Sequence, residues 1–168
     1  MMRNPPLSLF AAALTGLACI GFTRFAHPTP MLVWNASASM PIGFYRLVPG
    51  LPERGDLALV RPPKTAEALA DVRGYLPAGV PLVKRIAAVG GDAVCAFDAA
   101  VFLNGHVVAR QLATDHAGRP LPHWNGCRVL DRDEIFVLAD AADSFDSRYF
   151  GPVLVTTIIG RLAPLWTE

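Results

Sequence analysis

"PLVKRIAAVGGD", residues 81 to 92, decides how the chain is read. Its first nine residues form an apolar run broken by one lysine and one arginine, and Gly90-Gly91-Asp92 closes it with a turn. An apolar run this short, bounded by turn residues, reads as a strand. Alternate side chains of a strand share a face, so Lys84 is expected beside Leu82, Ile86 and Ala88. Apolar neighbours strip water from an ammonium group and lower its pKa. Moving a lysine from about 10.4 to about 8 takes roughly 3 kcal/mol of differential destabilisation of the charged form. The neutral amine is then a competent general base. An edge-strand lysine that snorkels to water is the other reading of the same pattern. Lys64 is the chain's only other lysine, against thirteen arginines that stay protonated and cannot serve as bases.

Outward from this strand the pattern remains β. "GFYRLVPG" (43–50) and "GDLALV" (55–60) are short strands ended by Pro-Gly and by Arg-Pro-Pro. "KTAEALADVRGY" (64–75) is the one soluble helix expected, with Ala66, Leu69, Ala70 and Val72 as a weak apolar face. "AVFLNGHVVA" (100–109) holds Asn104-Gly105 between apolar runs, a hairpin signal. "DEIFVLAD" (133–140) and "GPVLVTTIIGRL" (151–162) complete a mostly β, antiparallel domain with one short helix.

The N-terminus differs. From Leu7 to Thr23, "LSLFAAALTGLACIGFT" carries no charge over 17 residues. As a helix that is about 26 Å, which Arg24 can extend to Ala26 by snorkelling. The expected organisation is a cytoplasmic N-terminus (1–6), one transmembrane anchor (7–26) and an exported domain (27–168). A cleaved signal peptide is the alternative reading of the same segment. Charged residues make up only 17% of the chain, below the roughly 25% of an average soluble domain, which agrees with membrane contact. A net charge of +1 without a basic run gives no support to a nucleic-acid partner. Cys19 lies in the apolar span. Cys95 and Cys127 lack metal-ligand spacing, and an even pair in an exported domain reads as one disulfide, with two free buried thiols as the alternative.

Three further features carry chemistry or its bland counterpart. "NASASMPIGFYRL" (35–47) sets Ser37 and Ser39 in an extended or turning segment before Pro41, and Gly43 permits a tight bend or a close backbone approach. Asp146 and Arg148, if extended, project from one face as an ion pair. His27, His106, His116 and His123 have no metal or triad spacing, and no glycine loop suited to a phosphate is present.

"SASMP" (37–41), "VKRIAAVGGDAV" (83–94) and "SFDSRYFGPV" (144–153) resemble, in order, three boxes of the signal peptidase I clan. "RGYLPAGVPLVKR" and "SFDSRYFGPV" look most like its conjugative-transfer, TraF-type branch. The resemblance implies a signal-peptidase-like β domain holding a Ser/Lys dyad, anchored by one span in the bacterial inner membrane and facing the periplasm. It implies Ser39 as nucleophile and Lys84 as general base. Ser37 and the Ser39 N–H would form the oxyanion hole, Ser144 would orient the lysine, and Asp146 with Arg148 would support the site. No metal or cofactor is implied. The implied partners are membrane lipid and a peptide or protein precursor at the membrane surface, a conjugative pilin among the candidates. In one place the sequence departs from the pattern: the usual "GDN" before the last box reads Ala139-Asp140-Ala141-Ala142. The rival readings are a general signal peptidase and a non-catalytic β scaffold of a secretion apparatus.

Overall fold

The computed structural model describes residues 7–26 and 31–168, with side chains in the first helix described from 8 to 22. The cytoplasmic N-terminus expected over 1–6, the side chain of Arg24, and His27 lie outside the described residues. Two compact units are present, one ending at Pro30 and one beginning at Met31.

The first contains α1 (Leu7–Ala26), whose bounds match the segment expected as an anchor. Leu9, Phe10, Leu14, Leu17, Ile20 and Phe22 are all exposed on it. Among the described residues, however, no helix is long and apolar enough to cross a membrane. The transmembrane reading therefore stays a proposal.

The second unit is two antiparallel sheets. One has seven strands in the order β1-β2-β11-β3-β4-β9-β10, and the other four in the order β7-β6-β5-β8. The strands are β1 (Leu32–Asn35), β2 (Gly43–Val48), β3 (Leu57–Val60), β4 (Leu82–Val89), β5 (Ala93–Phe97) and β6 (Ala100–Leu103). After these come β7 (His106–Arg110), β8 (Gly126–Val129), β9 (Glu134–Leu138), β10 (Val153–Leu154) and β11 (Ile158–Thr167). β6 and β7 form the hairpin around Asn104-Gly105, where Asn104 adopts φ 49 and Gly105 φ 83, as its turn chemistry demands.

The sequence signal for one soluble helix is corrected to two. α2 (Lys64–Arg73) is the expected one, ended by Gly74 in the left-handed region. Its buried residues are Ala66 and Ala70, whereas Val72, expected on the same face, is 84% exposed. The other is a single turn, α3 (Ser147–Phe150), in a stretch for which the sequence offered no helix. β1, β5 and β8 had no separate signal, and the last expected strand splits into β10, a 3₁₀ turn (Val155–Thr157) and a longer β11.

A bulge in β4 positions the site. β4 pairs with β3 through Ala58↔Lys84 and Val60↔Leu82, so Lys84, Leu82 and Ile86 share one face. Between Ile86 and Ala88 the register against β9 shifts. Ile86 packs with Ala58, Val60 and Val137, while Ala88 turns to the opposite cluster with Phe136, Val94 and Val101. The expectation that Ala88 shares the face of Lys84 is therefore wrong: the extra residue reverses the alternation. Gly43 makes the close approach its sequence allowed, since a Cβ there would stand 2.1 Å from the Trp166 carbonyl oxygen.

Candidate active site

Residues 37–40 form a turn between β1 and β2. Asn35, buried at the end of β1, holds it from beneath. Its Nδ2 lies 2.9 Å from the Ser37 carbonyl oxygen, 3.0 Å from that of Met40 and 3.1 Å from that of Pro41, and its Oδ1 accepts from Ser37 N–H. Tyr45 OH donates to the Pro41 carbonyl, and the Met40 side chain is buried against Tyr45, Leu59 and Val83. The turn is thus pinned on both sides, which leaves Ser37 exposed and Ser39 half-buried. Their hydroxyls are 2.7 Å apart, and Ser39 N–H points at Ser37 Oγ at 3.4 Å.

Lys84 meets this turn from β4. Its Nζ lies 3.1 Å from Ser39 Oγ and 2.6 Å from Ser144 Oγ, and the residue is only 2% exposed. Burial lowers its pKa to about 8. Asp146 and Asp143 pull it back up, and Arg148 pushes it further down.

Behind the lysine, Asp146 caps α3 and ties the 139–146 loop into one knot. Its Oδ1 accepts from Arg148 N–H (3.1 Å) and Arg148 Nε (2.8 Å). Its Oδ2 accepts from Ala139 N–H (2.9 Å) and Arg148 Nη2 (3.0 Å). Arg148 also donates to the carbonyls of Ala142 and Ala139, so the guanidinium spans the loop that carries Ser144. The pair is therefore made within a capped turn and not along an extended face.

A cavity of about 340 Å³ opens beside Ser39 and Lys84. Leu82, Leu76, Tyr149 and Phe145 make it largely apolar, and Leu112, His116 and Leu121 close one side. That side belongs to the β7–β8 connection, which is clasped to Tyr75 and α2. Asp115 accepts from Tyr75 OH, from Arg119 Nε at 2.7 Å and from the N–H groups of Ala117 and Arg119. Burial alone would raise the Asp115 carboxyl pKa, but these donors hold it well below the usual range. At the rim His116 Nε2 sits 2.7 Å from Asp143 Oδ2, which lowers the Asp143 pKa.

The structure thus brings Ser37, Ser39, Lys84 and Ser144 into one hydrogen-bonded row, with Asp146 and Arg148 behind it. Cys95 and Cys127 stand elsewhere, joined as a disulfide between β5 and β8 with Cα atoms 4.1 Å apart. Asn35, Tyr45, Asp115 and the His116–Asp143 pair were not singled out in the sequence. Only Asn35 carried a signal, as an asparagine opening a turn.

The chain as a whole matches a family of peptidases. The profile "Signal peptidase, peptidase S26" matches residues 6–166, and the chain belongs to that family. Over 169 residues it is 34% identical to the probable conjugal transfer protein TraF of Sinorhizobium fredii, covering 94% of this chain and 88% of that one. It is 33% identical over 144 residues to the plasmid transfer protein TraF of Escherichia coli, covering 79% and 81%. A TraF of Agrobacterium tumefaciens described as a conjugal transfer protein is 34% identical over 172 residues, covering 95% and 91%. Among solved structures, a signal peptidase I from Enterococcus faecalis covers 67% of this chain and 97% of its own at 19% identity. Its TM-score of 0.39 is too low to contribute to the assignment.

Proposed function

We propose that this protein is a membrane-anchored serine endopeptidase that matures exported precursors through Ser39 and Lys84. One observation carries the reading: a lysine amine withdrawn from water stands 3.1 Å from an accessible serine hydroxyl. Neutral Lys84 takes the Ser39 proton as Oγ attacks the scissile carbonyl carbon. The resulting oxyanion is received by Ser39 N–H and the Ser37 hydroxyl, once the latter turns from its neighbour. The Lys84 ammonium then protonates the departing amine, and the C–N bond breaks. Water, deprotonated by the same lysine, releases the acyl group and restores Ser39; an amine can take the place of water. Ser144 holds the lysine on line, and the Asp146–Arg148 knot holds Ser144.

Anchoring by 7–26 with the catalytic domain in the periplasm is supported by the apolar helix and by a disulfide, which persists in an oxidising compartment. A pilin or another conjugation precursor as substrate is supported by relatives described as conjugal and plasmid transfer proteins. The test is co-expression with candidate precursors from a conjugation system and with a secretory preprotein, followed by mass analysis of the mature ends. Wild type is expected to process the conjugative precursor, and Ser39→Ala and Lys84→Arg to leave it intact. Processing by either variant at more than a few per cent of the wild-type rate sinks the dyad. Efficient cleavage of the secretory preprotein alone would favour general signal peptidase activity instead. An alkaline phosphatase fused after Glu168 should be active, and a silent one would overturn the topology.

A further inference from the structure

Leu112 lines two depressions. One is the cavity beside Ser39; the other is a crevice between β7 and the 139–142 loop, edged by Arg85, Val107, Val108, Arg110 and Asp140. We propose that this crevice docks an extended, acidic flank of the same precursor whose scissile bond lies at Ser39, an inference that rests on the peptidase reading. β7 is the edge of the four-stranded sheet and, among the described residues, pairs with β6 alone, so its outer edge can take an added strand. The register shift between Val101 and Phe102 opposes two residues of β6 to three of β7, and it leaves neighbouring Val107 and Val108 57% and 42% exposed. An apolar pair on an open edge suits the side chains of a peptide lying along it.

The charge of the crevice names the occupant. Arg110 has no ion-pair or hydrogen-bond partner for its guanidinium among the described residues. Arg85 gives one N–H to the Gly55 carbonyl and stands 3.8 Å from the exposed Asp140, a weak pairing. Arg148 also reaches the crevice but is matched by Asp146. One positive charge is left in excess, and a chain leaving the main cavity over Leu112 passes directly into it.

The test uses the full chain in detergent micelles and labelled peptides of one central sequence, flanked at either end by Asp-Asp-Asp, Ser-Ser-Ser or Lys-Lys-Lys. Binding is read by anisotropy on the Ser39→Ala protein, and cleavage on the wild type. Asp-flanked peptides are expected to bind about tenfold more tightly than Ser-flanked ones, with an advantage that fades as salt rises. Arg85→Glu with Arg110→Glu should invert the order in favour of Lys-flanked peptides, a result that loss of folding cannot produce. Should that double variant not fold, Val108→Cys in a Cys19→Ser background replaces it. A bromoacetyl group on the Asp-flanked peptide should then alkylate Cys at 108 faster than the same group on the Lys-flanked one. Equal binding or labelling for all flanks overturns the proposal, as does an order the charge reversal leaves unchanged. So does a charge reversal that alters only self-association, which would assign the edge to a second copy of the chain. Flank-dependent binding without cleavage sinks the peptidase reading alone, and flank-independent cleavage sinks the docking groove alone.

Discussion

The two sides of the candidate site are built in opposite ways. The serine side is a turn near the surface, with Ser37 exposed, Ser39 half-buried, and Asn35, Met40 and Tyr45 anchoring it to the core. The lysine side is dry: Lys84, Ser144, Asp146 and Arg148 are each no more than 4% exposed. A nucleophile must meet its substrate, whereas a lysine serves as a base only where water is kept from its charged form. Function and stability are therefore separable on the first side and tied together on the second.

The sharpest way to break that contrast is to remove a charge from the dry side. Asp146→Ala leaves Arg148 buried with no counter-charge, and orphans Ala139 N–H as well. Breaking a buried pair costs about 3–5 kcal/mol, a large part of the stability of an ordinary domain. Ser39→Ala, by comparison, is expected to change stability by less than about 1 kcal/mol while abolishing processing. Urea unfolding of the two variants side by side is the measurement, and equal midpoints would end the distinction.

The next effect lies away from both sides. Replacing Cys95 and Cys127 together by alanine opens a loop of sequence separation 32 in the four-stranded sheet. The expected loss is about 3–4 kcal/mol in the chain-entropy account. Because neither sulfur touches the serine–lysine row, activity should persist at low temperature while the melting point falls. A double variant that stays folded yet is inactive would show that the small sheet shapes the site.

How much of this was legible follows the same division. The alternation of apolar residues around Lys84 was readable because a strand's faces follow from its sequence alone. The reversal at Ala88 was not, since a bulge exists only against the register of β9. Asp146 and Arg148 could be recognised as a pair, but their setting in a capped turn depends on Ala139 and Ala142 coming back to meet them. The clasp of Asp115 to Tyr75 and Arg73 joins segments some 40 residues apart, and no local pattern announces it. Ser37 and Ser39 were conspicuous as a motif, while the residue that shapes their turn, Asn35, looked like ordinary loop chemistry.

On the exposed side, Ser37→Ala should sharpen the contrast. If its hydroxyl receives the oxyanion, the loss is about 10²- to 10³-fold in kcat, with little change in KM or in stability. A rise in KM with kcat preserved would instead make Ser37 a substrate-binding group.

The smallest effect is the most diagnostic of the dry side, because it concerns the proton on Lys84. With its pKa lowered to about 8, only about a tenth of the lysine is neutral at pH 7. Activity should climb about tenfold per pH unit below 8 and level off above it. Stability moves in a different window. In the unfolded chain the lysine takes up its proton near its ordinary 10.5, while the folded site resists until about 8. Between those values the unfolded state holds more protons, so stability falls as pH falls from 10.5 to 8 and is flat below. The full span is about 3 kcal/mol at most. Tyr45 and Tyr149, whose pKa values burial raises, act in the opposite sense. Their contribution is intact below about 10 and is lost as pH rises beyond it. The interval from 8 to 10 therefore belongs to Lys84, and urea midpoints should rise across it in the wild type but not in Lys84→Met. A rate profile with its midpoint near 10.5, or a wild-type midpoint that is flat from 8 to 10, would mean that the lysine is hydrated and the dry side is not dry.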